Sequence, residues 1–212
     1  SATAPDGHAR RGDFLPPIPL LRRMYAGGRM VGHAPLIIGE PVEEVQRIAA
    51  IDEKSGSSGQ MFVVRVEHEY RQRGRLCLAE ERDLIYLGEG GPVAALAPTQ
   101  PVPDAAWQRD WDIDPVLLFR FSALTFNSHR IHYDQTYARD EEGYPDLVVH
   151  GPLLATLLCR LAEEKAGRII RSFRFRAMRP FFLGAPVRLR GGPEGESGGR
   201  IDALTPSGEV GM

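Results

Sequence analysis

Two widely separated stretches share one pattern of punctuation: Ala34-Pro-Leu-Ile-Ile-Gly39-Glu-Pro41-Val42 and Arg179-Pro-Phe-Phe-Leu-Gly184-Ala-Pro186-Val187. Both read any residue, Pro, three apolar residues, Gly, any residue, Pro, Val. Proline fixes φ and removes a backbone donor, and glycine opens backbone conformations closed to other residues. The matched prolines and glycine therefore constrain the backbone far more tightly than matched apolar residues would. Each copy runs on into a strand-like stretch, a Gly/Ser-rich turn (Lys54–Gly59, Gly191–Gly199) and another strand. The pattern predicts a duplicated fold with halves at residues 1–98 and 99–212. Gly88–Asp104, rich in Gly, Pro and Ala and without a strong period, reads as the linker between them.

In the first half, Val42–Ile51, Met61–Arg71 and Arg75–Leu87 read as long strands. Alternation such as Phe62-Val-Val-Arg-Val-Glu-His-Glu-Tyr70 and turns at Ser55–Gly59 and Gln72–Gly74 predict an antiparallel meander. The second half holds the clearest helix. Pro152 suits a first helical turn, Leu153, Leu154, Leu157, Leu158 and Leu161 mark one apolar face, and Gly167 suits a C-terminal stop. Such a leucine-rich helix is expected to be buried against a sheet. Strands are expected at Ile169–Met178 and Val187–Arg190. The halves do not match end to end: the first has no counterpart of the helix, and Gly208–Met212 reaches only the start of an equivalent strand. The expectation is a longer natural protein, with material missing at the front and the equivalent strand cut short at the end.

Composition closes off several classes. The 212 residues carry a formal net charge of −2, so no global field favours nucleic acid or an anionic membrane. No apolar run approaches the ~20 residues that span a bilayer. The N-terminus shows no apolar signal core, and Cys77 and Cys159 read as small buried hydrophobes. A cytoplasmic location is expected, or the mitochondrial matrix in a eukaryote.

Residues 121–158 concentrate the chemistry. Asn127, His129, His132 and Asp134 fall within eight residues, and His150-Gly151-Pro152 opens the leucine-rich helix. Imidazole titrates near pH 6.5 and can give or take a proton at neutral pH. His132 is the leading candidate, with His129 or Asp134 as a second titrating group. The first N–H groups of a helix lack internal acceptors and sit at the positive end of its dipole, so the Gly151 N–H is a candidate oxyanion donor. On a helix His129 and His132 would share a face, as metal ligands require, but no recognised zinc spacing is present and no metal is expected. Arg171, Arg174, Arg176 and Arg179 alternate with Phe173 and Phe175 and form a stripe able to hold phosphates.

The run Asn127-Ser-His-Arg-Ile-His132-Tyr-Asp134, then Val149-His150-Gly151 and a leucine-rich helix, resembles the MaoC-like hydratase/dehydratase family. Within it the chain looks closest to the double-hot-dog branch of mesaconyl-C4-CoA and itaconyl-CoA hydratases and type-two hydroxyacyl-thioester dehydratases. Arg11-Gly-Asp-Phe-Leu-Pro-Pro-Ile-Pro-Leu20 and Arg23-Met-Tyr-Ala-Gly-Gly28 carry the same likeness, which extends over nearly the whole chain. The resemblance implies an α+β double hot dog: two curved antiparallel sheets, with a long central helix in the C-terminal half. The family motif Asp-x-Asn-Pro-Ile/Leu-His places its histidine on His132, its aspartate on Asn127 and its asparagine on His129. Its helix-start glycine falls on Gly151. The usual general-base carboxylate is thus absent from its place. The division of labour this implies is His132 moving the proton, Asn127 orienting the water, and His129 or Asp134 supplying the second group.

The resemblance implies reversible hydration of an enoyl-CoA thioester, foremost a short branched dicarboxylic one, with no cofactor. His150, Arg130, Arg174, Arg176 and Arg179 are the candidate substrate-binding residues, the arginines for a second carboxylate or the CoA phosphates. Two alternatives stay open: a β-hydroxyacyl-thioester dehydratase of fatty-acid synthesis, and a non-catalytic acyl-CoA-binding hot dog. The expected partners are the acyl-CoA and a second copy in a homodimer.

Overall fold

The computed structural model describes residues 3–8, 11–20, 22–56, 59–88 and 105–212. The expected boundary at 98/99, and all of the expected linker except Gly88, lie outside these residues. Two compact units form: Ser1–Pro16 with Leu96–Gly167 and Met178–Met212, and Pro17–Ala95 with Arg168–Ala177. The units do not follow the contiguous halves read from the repeat. Backbone bonding accounts for this: residues 172–176 pair with 27–31, and the Arg130 N–H donates to Asp6 O at 2.9 Å.

The second unit is a five-stranded antiparallel sheet with no helix among its described residues. Its strands are β1 (Arg22–Gly32), β2 (Glu43–Gly56), β3 (Gly59–Gln72), β4 (Arg75–Leu87) and β6 (Ser172–Arg176), in the order β2-β3-β4-β1-β6. The β2-β3-β4 meander follows the sequence pattern. The β3–β4 turn is Arg73-Gly74, with φ of 50° and 73°, so both residues are left-handed, as a tight hairpin that matches strand twist requires. On β3, Val64, Val66 and His68 share one buried face, and His68 Nδ1 is satisfied 2.9 Å from Glu44 Oε1. Strand β1 explains the Gly27-Gly28 pair. A Cβ on Gly27 would lie 2.7 Å from Phe175 O, and one on Gly28 2.9 Å from Glu81 O. Only glycine lets β4 and β6 approach β1 from both sides. Strand β6 is shorter than the expected Ile169–Met178.

The first unit holds β5 (Trp107–Trp111), β7 (Val187–Glu194) and β8 (Gly198–Leu204) as an antiparallel sheet in the order β5-β7-β8, with helices α1 (Pro115–Thr125) and α2 (Gly151–Ala166). Helix α2 packs on this sheet. Leu153, Leu154, Ala155, Leu157, Leu158 and Leu161 are buried, as are the apolar side chains of Val187, Leu189 and Ala203 on β7 and β8. Fully burying one such leucine is worth about 1.5–3 kcal/mol, so this face dominates the unit's cohesion. Gly167 ends α2 at φ 65°, as a left-handed cap. The expected Gly191–Gly199 turn contracts to residues 195–197 because β7 runs on through Gly191 and Gly192. A Cβ on Gly191 would lie 2.2 Å from Arg200 O, so this glycine serves close strand approach rather than a turn.

The repeated motif keeps the same backbone in both units. Gly39 and Gly184 are left-handed at φ 89° and 101°, each in a turn that leads into a hairpin strand.

Candidate active site

Four histidine rings form a chain within the first unit. His8 lies 4.0 Å from His129, His129 meets His132 edge-on at 5.6 Å, and His132 stacks on His150 at 3.7 Å with 20° between planes. Each ring has a distinct local origin.

Helix α1 begins at Asp114, whose side chain accepts the Leu117 N–H at 2.6 Å, and ends at Phe126 in a left-handed cap at φ 51°. The chain then turns sharply. The Asn127 N–H donates to Ser122 O at 3.0 Å, and Asn127 Oδ1 accepts the His129 N–H at 3.2 Å, an Asx-type turn. Residues Arg130–His132 make one 3₁₀ turn, not a continuous α-helix. A π-turn at Tyr137–Glu141 follows, and Glu142 just beyond it places Oε1 3.2 Å from His129 Nε2.

His132 is buried, and its Nδ1 lies 2.7 Å from Val148 O. A carbonyl only accepts, so Nδ1 carries the proton and Nε2 keeps its lone pair. Burial pushes the His132 pKa down to about 4, against the raising effect of the Val148 bond. His150 is fully buried at the N-cap of α2, with Nε2 2.8 Å from Ser122 Oγ; burial and the neighbouring His132 push its pKa down to about 3. Gly151 is the first residue of α2, ahead of the Leu154 N–H to His150 O bond, so its N–H stands at the positive end of the helix.

The structure therefore brings His129, His132, His150 and Gly151 together, with Asn127 at the turn that carries them. Other predicted members are engaged with other partners or belong to the other unit. Asp134 Oδ2 binds Arg130 at 2.8 Å while Oδ1 accepts the Tyr137 N–H at 3.0 Å, and Arg130 stacks over the Tyr137 ring at 4.1 Å. The Tyr137 N–H and the Arg130 guanidinium hold the Asp134 carboxyl below the usual range. This pair braces the loop that delivers Glu142. Arg179 is bound to Glu209 at 2.9 Å, and Arg174 and Arg176 stand exposed on β6 in the other unit, alternating with Phe173 and Phe175.

Four contributors had no sequence signal. Ser122 lies on a helix face with nothing to mark it, Glu142 is one of a run of acidic residues, and Asp6 and His8 are remote in sequence from His129. Asp6, His8 and His129 each offer a ligand atom within 4.8 Å of the others, the one grouping of the described residues able to hold a metal ion. As they stand, His8 Nδ1 is bound to Asp6 Oδ2 at 3.1 Å and His129 to Glu142, bonds that an ion would have to displace.

The family model described as hydroxyacyl-thioester dehydratase type 2 matches residues 1–183. The chain is 49% identical over 216 residues to a protein from Chloroflexus aurantiacus named mesaconyl-C(4)-CoA hydratase, covering 100% of this chain and 76% of that one. Among solved structures, a MaoC-like dehydratase superposes with a TM-score of 0.73 at 14% identity, over 89% of this chain and 73% of that chain. A Mycobacterium tuberculosis protein described as having a double hotdog fold superposes at 0.56 and 14% identity, over 88% and 72%. These likenesses agree with the α+β double-hot-dog architecture read from the sequence.

Proposed function

This chain belongs to the hydroxyacyl-thioester dehydratase type 2 family, and from that premise we propose that it reversibly hydrates an enoyl-CoA thioester. The substrate class is a short branched dicarboxylic acyl-CoA of the mesaconyl-C4-CoA type. The observation that carries the reading is the His132 Nδ1–H bond to Val148 O, which presents the Nε2 lone pair beside the start of α2.

In the hydration direction, His132 Nε2 takes a proton from water as the hydroxyl oxygen bonds to the β-carbon. The carbon–carbon π electrons move toward the thioester oxygen, where the Gly151 N–H stabilises the developing enolate. His129 then delivers a proton to the α-carbon, so that the two histidines together gain one proton and lose one, and dehydration is the reverse. The depressed His132 pKa keeps its lone pair available at neutral pH, while the growing enolate charge favours the imidazolium in the transition state. Asn127 uses Oδ1 on the His129 N–H, which leaves its amide N–H groups to orient water. His129, backed by Glu142, is the second acid/base group; Asp134 is occupied in bracing the loop. Glu142 thereby brings in a carboxylate of the kind the motif lacks at Asn127.

No cofactor is required. Arg174 and Arg176 remain a candidate anion-binding stripe on their own unit. A homodimer and a cytoplasmic or mitochondrial-matrix location complete the reading; among the described residues no helix is long and apolar enough to cross a membrane. The family description keeps one second reading in play, dehydration of a β-hydroxyacyl thioester. An absorbance assay of enoyl thioesters separates them, using mesaconyl-C4-CoA, itaconyl-CoA, crotonyl-CoA and a 3-hydroxyacyl thioester. Fastest turnover of mesaconyl-C4-CoA supports the proposal. Preference for the 3-hydroxyacyl thioester supports the second reading, and thermal stabilisation by CoA esters without turnover identifies a binding module.

A further inference from the structure

His150 is fully enclosed, yet only one of its ring nitrogens is satisfied. Nε2 lies 2.8 Å from Ser122 Oγ, whereas Nδ1 is buried with no hydrogen-bond partner among the described residues. Buried polar atoms are almost always paired, so an orphan at the mouth of a helix points to a ligand atom that completes it. The tautomer decides what that atom must be. If Nε2 carried the proton, it would donate to Ser122 Oγ; the serine hydroxyl hydrogen and the Nδ1 lone pair would then both be unmet. If Nδ1 carries the proton, the Ser122 hydroxyl donates to Nε2 and a single group is left over, the Nδ1–H. The second arrangement leaves fewer unmet groups.

We infer that the His150 Nδ1–H is a second donor to the thioester oxygen, beside the N–H of Gly151, and that Ser122 is the positioning residue that selects this tautomer. The inference rests on the thioester reading of the same site. It gives the stacked rings opposite tasks: His132 presents a lone pair at Nε2, and His150 presents an N–H at Nδ1. Burial keeps His150 uncharged, so it polarises the carbonyl as a neutral imidazole and does not compete with His132 for the transferred proton.

The test combines nitrogen-15 NMR of histidine-labelled full-length protein with kinetics. In the wild type, His150 is expected to show a protonated Nδ1 and an unprotonated Nε2; a protonated Nε2 overturns the inference. Butyryl-CoA, a saturated thioester that cannot be hydrated, is expected to shift the Nδ1–H resonance, whereas CoA alone leaves it in place. The same response to both overturns the assignment. Ser122→Ala is expected to lower kcat about 10²-fold with KM nearly unchanged, the loss of one oxyanion donor, and Ser122→Thr to restore it. Unchanged kcat in Ser122→Ala overturns the positioning role. The NMR arms need no turnover, so a wild type that hydrates nothing would sink the proposed function alone. A wild type that hydrates mesaconyl-C4-CoA with Nε2 protonated would sink this inference alone.

Discussion

Acid should weaken this fold through two specific rings. His132 and His150 are buried, stacked at 3.7 Å, and held at pKa values of about 4 and about 3, against an ordinary value near 6.5. Desolvation is the first cause at both. His129 faces His132 edge-on, and Glu142 lies behind His129. Because the folded pKa values lie below the unfolded one, the unfolded chain binds more protons between pH 6.5 and 4, so stability falls as pH drops through that window. At pH 5 both rings are still neutral in the fold and protonated in the unfolded chain. The gap of about 1.5 pH units from 6.5, at about 1.36 kcal/mol per unit, costs about 2 kcal/mol per ring. The pair together costs about 4 kcal/mol, a large share of the roughly 5–15 kcal/mol of a typical domain. Urea unfolding at pH 7 and pH 5 measures this directly. His132→Gln and His150→Gln should each remove about half of the pH-dependent loss that the wild type shows. A loss of the same size in both variants as in the wild type would refute the placement of these rings as buried neutral imidazoles.

Other expectations follow from packing and bonding. Leu161→Ala, at a side chain with no exposure on the sheet-facing side of α2, should cost about 2–5 kcal/mol in urea unfolding. Gly28→Ala should destabilise by about 1–3 kcal/mol, because its Cβ would meet Glu81 O and Tyr25 Oη at 2.9 Å, whereas Gly74→Ser, in an open turn, should be milder. Dialysis against a chelator should leave hydration unchanged; a loss reversed by added divalent metal would point to Asp6, His8 and His129 instead.

The fold was most legible where local pattern and burial agree. Strand alternation and the Arg73-Gly74 turn marked the meander, and the leucine face with its Gly167 stop marked α2. Helix α1 carries little mark in the sequence beyond its Asp114-Pro115 start, because its apolar residues do not sort to one side: Val116, Phe119 and Leu124 are exposed. Strand β5 is only five residues long and finds its identity in pairing with β7. At the site, His132, His150 and Gly151 were legible as a motif beside a helix start. Their partners were not, because Ser122 reaches His150 through the fold of α1, and Glu142 reaches His129 through a π-turn that no spacing rule encodes. Arg130 and Asp134 looked chemical in sequence because of their neighbours; in space they bind each other.

The proton transfer from water in the proposed reaction is assigned to His132. Its direct test is the hydration rate of mesaconyl-C4-CoA by His132→Ala against the wild type, with circular dichroism to show that the variant is folded. A loss of about 10²–10⁴-fold in kcat with the fold retained is expected. A folded His132→Ala that turns over at nearly the wild-type rate would contradict it.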